Sequence, residues 1–263
     1  SDAANALAAR VALFQNKMTD AANYAEAVLA NSSFSLASTA MDFSKNWVAG
    51  SSSPEIIFAY VNNSRASSPL NFTLYVNDTD GSWNYAPSDW CYNSLFADDN
   101  TLSRKGDVRL KATFTSQDAN RVIKYPNGTY QLAETSDYTC TPVVISRISE
   151  MYLIKAEALG KTNGAAALVE YMKKRYTTAP SEAAIKALSD KEYQTLILDE
   201  RRREFYAEGM RWQDIKRTNR LELLETLDGR TYLMYYPIPQ DEIDMAGTVA
   251  YPQNPGYAGY TGN

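Results

Sequence analysis

Five aromatic residues, Tyr75, Trp83, Tyr85, Trp90 and Tyr92, fall in one polar stretch of the chain among Asn, Asp, Ser and Gly. A flat indole or phenol covers the apolar C–H face of a sugar ring, while neighbouring amides, carboxylates and hydroxyls take up its hydroxyl groups. Trp83 follows Asp80-Gly81-Ser82 and Trp90 follows Pro87-Ser88-Asp89, so both come directly after turn-forming residues, where side chains tend to point outward. The competing role for all five is to fill the core of this stretch, which has few aliphatic residues to do so.

The acidic residues suggest a second chemistry. Glu200, Arg203 and Glu204 stand at i, i+3 and i+4, so a helix would present them on one face. A glycosidase needs two carboxylates facing each other across a cleft, roughly 5 to 10 Å apart. Dense alternation of Glu and Arg along one helix reads instead as an ion-pair lattice joining helices. Histidine is absent, which removes the commonest general base and every Ser-His-Asp or Cys-His pair. Asn77-Asp78-Thr79-Asp80-Gly81 resembles part of an oxygen-rich calcium loop but has no distal bidentate glutamate, so it reads as a polar turn. No metal or cofactor is expected. The two cysteines, Cys91 and Cys140, rule out a four-cysteine metal site and leave one bridge open. With Lys and Arg at 26 against 31 Asp and Glu, the net charge is −5, and no basic run tracks a phosphate backbone. Nucleic acid is therefore not expected as a partner. No apolar run approaches the roughly 20 residues that span a bilayer.

The elements that must position these residues follow from periodicity. Residues 1–40 read as a helical hairpin with a small-residue-rich packing face, in which Leu7, Val11 and Phe14 recur at helical spacing, followed by Ala21, Tyr24, Ala25, Val28 and Leu29. One tetratricopeptide-like repeat has about that length. Residues 41–142 break into short strand-like runs, EIIFAYV and NFTLYV among them, and read as an irregular, loop-rich insert that carries the candidate site. Helical order returns over residues 143–228. RISEMYLIKAEALG stops at Gly160, and a partner helix runs from about Ala165 to Tyr176. A third helix starts at the capping box Ser189/Glu192 and runs to Gly209, with helix resuming through RWQDIKRT. Residues 229–263 form an extended tail whose prolines oppose further helix. The whole reads as one mainly α domain built of tetratricopeptide-like hairpins, the insert and the tail.

Within this frame the sequence resembles the SusD/RagB family of nutrient-binding outer-membrane lipoproteins. The resemblance rests on RISEMYLIKAEALG (Arg147 to Gly160), ERRREFYAEGMRWQDIKR (Glu200 to Arg217), YPIPQDEI and QNPGY, four blocks in the family's order. It implies structural roles for Arg147, Glu150, Glu157, Glu200, Arg203, Asp214 and Arg217. It further implies a non-catalytic, cell-surface glycan-binding protein that delivers oligosaccharide or polysaccharide to a TonB-dependent, SusC-like transporter in the outer membrane. The alternative it leaves is a peptide- or protein-binding scaffold of the same uptake type. Family members carry an amino-terminal lipid anchor and further repeats ahead of this region, so membrane attachment is expected only through an anchor absent from this chain.

Overall fold

The computed structural model describes residues 1–48, 53–60, 87–114, 122–124, 141–224, 227–246 and 252–258. The chain divides into two compact units, Ser1–Met210 and Arg211–Asn263.

The first unit opens with the helical hairpin α1 (Asp2–Phe14) and α2 (Met18–Leu29), joined through Asn16 in the left-handed region at φ 58°. Alanine favours helix because it loses no side-chain entropy. Here it also sets the packing distance. Ala6, Ala9, Ala12 and Leu13 bury against Ala21, Ala25 and Val28, and the hairpin closes on Ile148, Met151 and Ile154. The small-residue face therefore does the packing, whereas Leu7 and Val11 point outward at 54% and 45% exposure.

The run α5 (Ile148–Arg175) is two helices in one, because Gly160 takes φ 66° and ψ 175°, a conformation open essentially to glycine alone. The two halves fold onto each other so closely that a Cβ at Gly164 would run into the backbone of Ala156. Leu153, Leu168, Tyr171 and Met172 then share a core with Ile185 of α6 (Glu182–Lys186) and Ile197 of α7 (Asp190–Glu204). The expected capping box starts α7: Ser189 N donates to Glu192 Oε2 at 2.7 Å, and Glu192 N donates to Ser189 Oγ at 3.2 Å.

In contrast to the expected continuation to Gly209, α7 ends at Glu204. The main-chain carbonyl of Glu204 accepts from Lys124 Nζ at 3.0 Å and Arg147 Nη2 at 3.1 Å, so two buried cations take the place of the next helical N–H groups. Ala207 and Gly209 then turn through the left-handed region, at φ 63° and 78°.

The insert contributes α3 (Ala40–Ser44), β1 (Ile56–Tyr60), β2 (Lys105–Asp107) and α4 (Arg109–Thr113), with a π-helical turn at Cys91–Leu95. Antiparallel pairing ties it to the scaffold: β1 pairs with β3 (Val143–Arg147) and β2 with β4 (Tyr176–Thr178). NFTLYV and the Asn77–Gly81 turn lie outside the described residues.

Among its described residues the second unit contains α8 (Arg211–Thr218), 3-10 turns at Leu221–Leu223 and Thr231–Met234, and α9 (Gln240–Met245), which begins directly after Pro239. Proline opposes a helix interior, but not a helix start, where its missing N–H has no partner in any case. The side chain of Gln253 pins the tail back by accepting from Ile238 N at 2.7 Å and donating to Ile238 O at 2.8 Å.

Candidate functional site

The π-helical turn sets the direction of the aromatic residues around it. Cys91, Leu95 and Phe96 turn inward onto Phe114 and Val122, with Phe96 and Phe114 edge-to-face at 5.3 Å. Cys91 is buried, which raises its thiol pKa above the ordinary value, and Cys140, the partner in the bridge left open by sequence, lies outside the described residues. Trp90, immediately before it, is left at the surface, 40% exposed. The Arg202 guanidinium lies 4.5 Å from the centre of its ring, which braces one face of the indole. Arg203 fastens the turn to α7 by donating from Nε to the Leu95 carbonyl at 2.5 Å.

Tyr92 is only partly buried but leans on Phe114, ring centres 5.8 Å apart, and so belongs to the wall behind the turn. Tyr75, Trp83 and Tyr85 lie outside the described residues. Of the other tryptophans in the insert, Trp47 is fully buried, under Lys124 at 4.5 Å and Arg147 at 5.3 Å.

A groove of about 540 Å³ opens along α7, lined by Asp99, Thr101, Arg104, Lys191, Glu192 and Asp199 over Leu102, Leu188 and Leu196. Asp199 precedes Arg202 by one helical turn, so the groove and the brace of Trp90 share one helix. An apolar floor edged by carboxylates, hydroxyls and cations suits a polyhydroxylated ligand. Arg202 was not among the residues singled out from sequence. Its spacing from Asp199 was visible, but nothing local indicated that it would meet Trp90.

The acids of α7 have a different setting. Glu204 is fully buried and accepts from Arg175 Nε at 2.9 Å, Arg147 Nη1 at 2.6 Å and Tyr171 OH at 2.7 Å. Burial alone would raise its pKa, but Arg175 and Arg147 overcome that and hold it well below the usual carboxylate range. Glu200 accepts from Arg109 Nη2 at 2.9 Å, Tyr176 OH at 2.6 Å and Arg203 Nη1 at 2.8 Å. Glu55, from the insert, closes the network on Arg175 Nη2 at 2.7 Å. Glu200 and Glu204 stay ionised and have no open face, so neither can protonate a leaving group or touch a sugar. Glu55, Arg109 and Arg175, which sequence reasoning missed, are as central to the lattice as Glu200 and Arg203.

Fold and site together define a helical-hairpin scaffold, locked by buried ion pairs, that carries an irregular insert with an exposed, braced tryptophan. Residues 96–231, half of the chain, match the SusD family model, and the chain belongs to the SusD/RagB family. A SusD-like protein, P38, from Formosa agariphila is 30% identical over 142 residues, which is 49% of this chain and 27% of that protein. Among solved structures, a SusD superfamily protein from Bacteroides fragilis is 19% identical and covers 97% of this chain and 64% of its own, with a TM-score of 0.67. Surface glycan-binding protein A from Bacteroides thetaiotaomicron is 21% identical and covers 95% of this chain and 62% of its own, with a TM-score of 0.59. The chain thus spans about a quarter of the curated relative and under two thirds of these two structures.

Proposed function

We propose that this chain is the glycan-binding part of a non-catalytic receptor at the outer-membrane surface, which captures oligosaccharide and passes it intact to a TonB-dependent, SusC-like transporter. The observation that carries the reading is Trp90: a large apolar ring left at the surface beside a turn whose Cys91 and Leu95 pack inward, with one face braced by Arg202. Water covers such a face poorly and a pyranose ring covers it well. Trp83, Tyr85 and Tyr75 belong to the same proposed platform on the basis of sequence, with Tyr92 as its inner wall. Family membership supports the reading, as does the fold shared with a protein named for surface glycan binding.

The non-catalytic part of the proposal rests on the lattice, since the helical carboxylates that could mimic a glycosidase pair are sealed and held ionised by arginine. Incubating purified protein with the oligosaccharide it binds and analysing the products by chromatography tests this. Unchanged oligosaccharide is expected. Turnover abolished by a single acid-to-amide change would overturn the non-catalytic reading. Transfer is tested by co-purification with a SusC-like transporter, which is expected to retain this chain.

A further inference from the structure

The second unit has a groove of its own, about 360 Å³, lined by the rings of Tyr232 and Tyr235 with Pro255 and Met234, and by Lys216, Asn219 and Thr231. Tyr235 is 60% exposed. Its backbone is nonetheless held firmly: Tyr257 OH donates to the Tyr235 carbonyl at 2.6 Å, Tyr257 packs edge-to-face on Tyr232 at 5.1 Å, and Asn254 Nδ2 donates to the Tyr236 carbonyl at 2.7 Å. Gly256, at φ 87°, lies so close to Tyr232 that a side chain there would strike the ring. The wall is therefore built before any ligand arrives, which lowers the ordering cost of binding.

The charges around the groove are distributed unevenly. Asp214 is matched by Arg217 at 2.9 Å and Glu222 by Arg220 at 2.5 Å. Lys216, by contrast, has its ammonium 5.7 Å from the centre of the Tyr235 ring, and no ion pair is seen for it among the described residues. An aromatic wall, an amide, a hydroxyl and an ammonium that no carboxylate among the described residues matches are the groups that would hold a sugar ring bearing a negative charge.

We propose that this groove is a second saccharide site, separate from Trp90, which takes an acidic sugar residue carrying a carboxylate or a sulfate. Tyr235 provides the stacking face, Lys216 meets the anionic group, and Asn219 and Thr231 take hydroxyls. The proposal deepens the glycan-receptor reading, and the experiment separates the two. Titration calorimetry is run on the intact chain and on Trp90→Ala with three probes: trigalacturonate, a sulfated galactose disaccharide and neutral maltotriose.

At least one acidic probe is expected to bind both proteins equally, which separates this site from Trp90. Tyr235→Ala is expected to weaken that binding about tenfold, the effect of uncovering one sugar face. Lys216→Gln is expected to weaken it about threefold and to flatten its salt dependence, as for an exposed charge pair, while leaving any maltotriose affinity unchanged. Because Tyr235 is exposed, the melting temperature of Tyr235→Ala should match wild type, so a loss of binding is not a loss of fold. A carboxylate or a sulfate preference follows from which acidic probe wins. The proposal is overturned if neither acidic probe binds at about 10 mM, if binding disappears in Trp90→Ala, or if it survives both Tyr235→Ala and Lys216→Gln.

Discussion

At the scale of single residues, the buried charges carry much of the fold's specificity. Removing one member of a buried, paired group leaves its partner without compensation at a cost of about 3 to 5 kcal/mol. Arg203→Ala removes one of the two guanidinium groups on Glu200, leaving Arg109 and Tyr176 in place, and also takes the donor from the Leu95 carbonyl. It should lower unfolding free energy by about 3 kcal/mol, the low end of that range, in chemical denaturation. A variant that unfolds like wild type yet loses ligand binding would contradict the structural role given to Arg203.

Lys124 makes a second case, with a pH signature. Burial lowers its pKa to about 8 from an ordinary 10.5, against the opposing pull of Glu208. Between those values the unfolded chain holds a proton that the folded chain has released, so stability rises with pH through this window, and the full penalty applies below about 8. Tyr171 and Tyr176, which burial shifts upward, act in the opposite sense above pH 10, where unfolded tyrosines ionise. Cys91, whose thiol burial also shifts upward, acts in the opposite sense within this window, so denaturation midpoints from pH 8 to 10 should rise in wild type relative to Lys124→Met, in which they should fall slightly. Equal slopes in the two proteins would show that Lys124 does not titrate in this range.

At the scale of elements, the corner of α5 has two glycines doing different things. Gly160 supplies a backbone conformation, and Gly164 supplies the space into which Ala156 packs. Gly160→Ala should cost about 1 to 3 kcal/mol as backbone strain. Gly164→Ala should cost a similar amount, about 1 to 3 kcal/mol, by overpacking. Because the two act at adjacent turns of one corner, a double variant should depart from additivity. Melting curves of the three variants check both values, and a Gly164→Ala protein as stable as wild type would mean that the two halves do not meet there.

How far the sequence disclosed these elements depends on whether the cause was local. The α1–α2 hairpin, the stop at Gly160 and the capping box at Ser189 were legible because each is decided within a few residues. The end of α7 was not, since Lys124 and Arg147, which take its last carbonyl, lie 80 and 57 positions away in the chain. For the same reason Glu55, 120 positions from Arg175, was invisible as a member of the lattice. Trp90 could be picked out from its turn-forming neighbours, but Arg202 could not be assigned as its brace, because that contact exists only once α7 and the insert meet.

At the scale of the whole molecule, a helical scaffold locked by buried ion pairs carries an irregular insert. Buried ion pairs tie the insert to the scaffold helices, Glu55 to Arg175 and Arg147, and Arg109 to Glu200 and Glu204, so a ligand held on the insert is held by the scaffold too. On the proposed receptor reading, buried charge supplies rigidity and the exposed indole of Trp90 supplies the surface for recognition. The measurement that bears most directly on it is titration calorimetry of Trp90→Ala against a bound oligosaccharide, paired with a thermal melt. A sugar face covering on the order of 60 to 80 Å² of indole, at about 25 cal/mol per Å², contributes roughly 1.5 to 2 kcal/mol, or about tenfold in Kd. The expected result is an affinity weakened by about that factor with an unchanged melting temperature, whereas unchanged affinity with a loss of about 3 to 5 kcal/mol in stability, as for a core residue, would contradict the account.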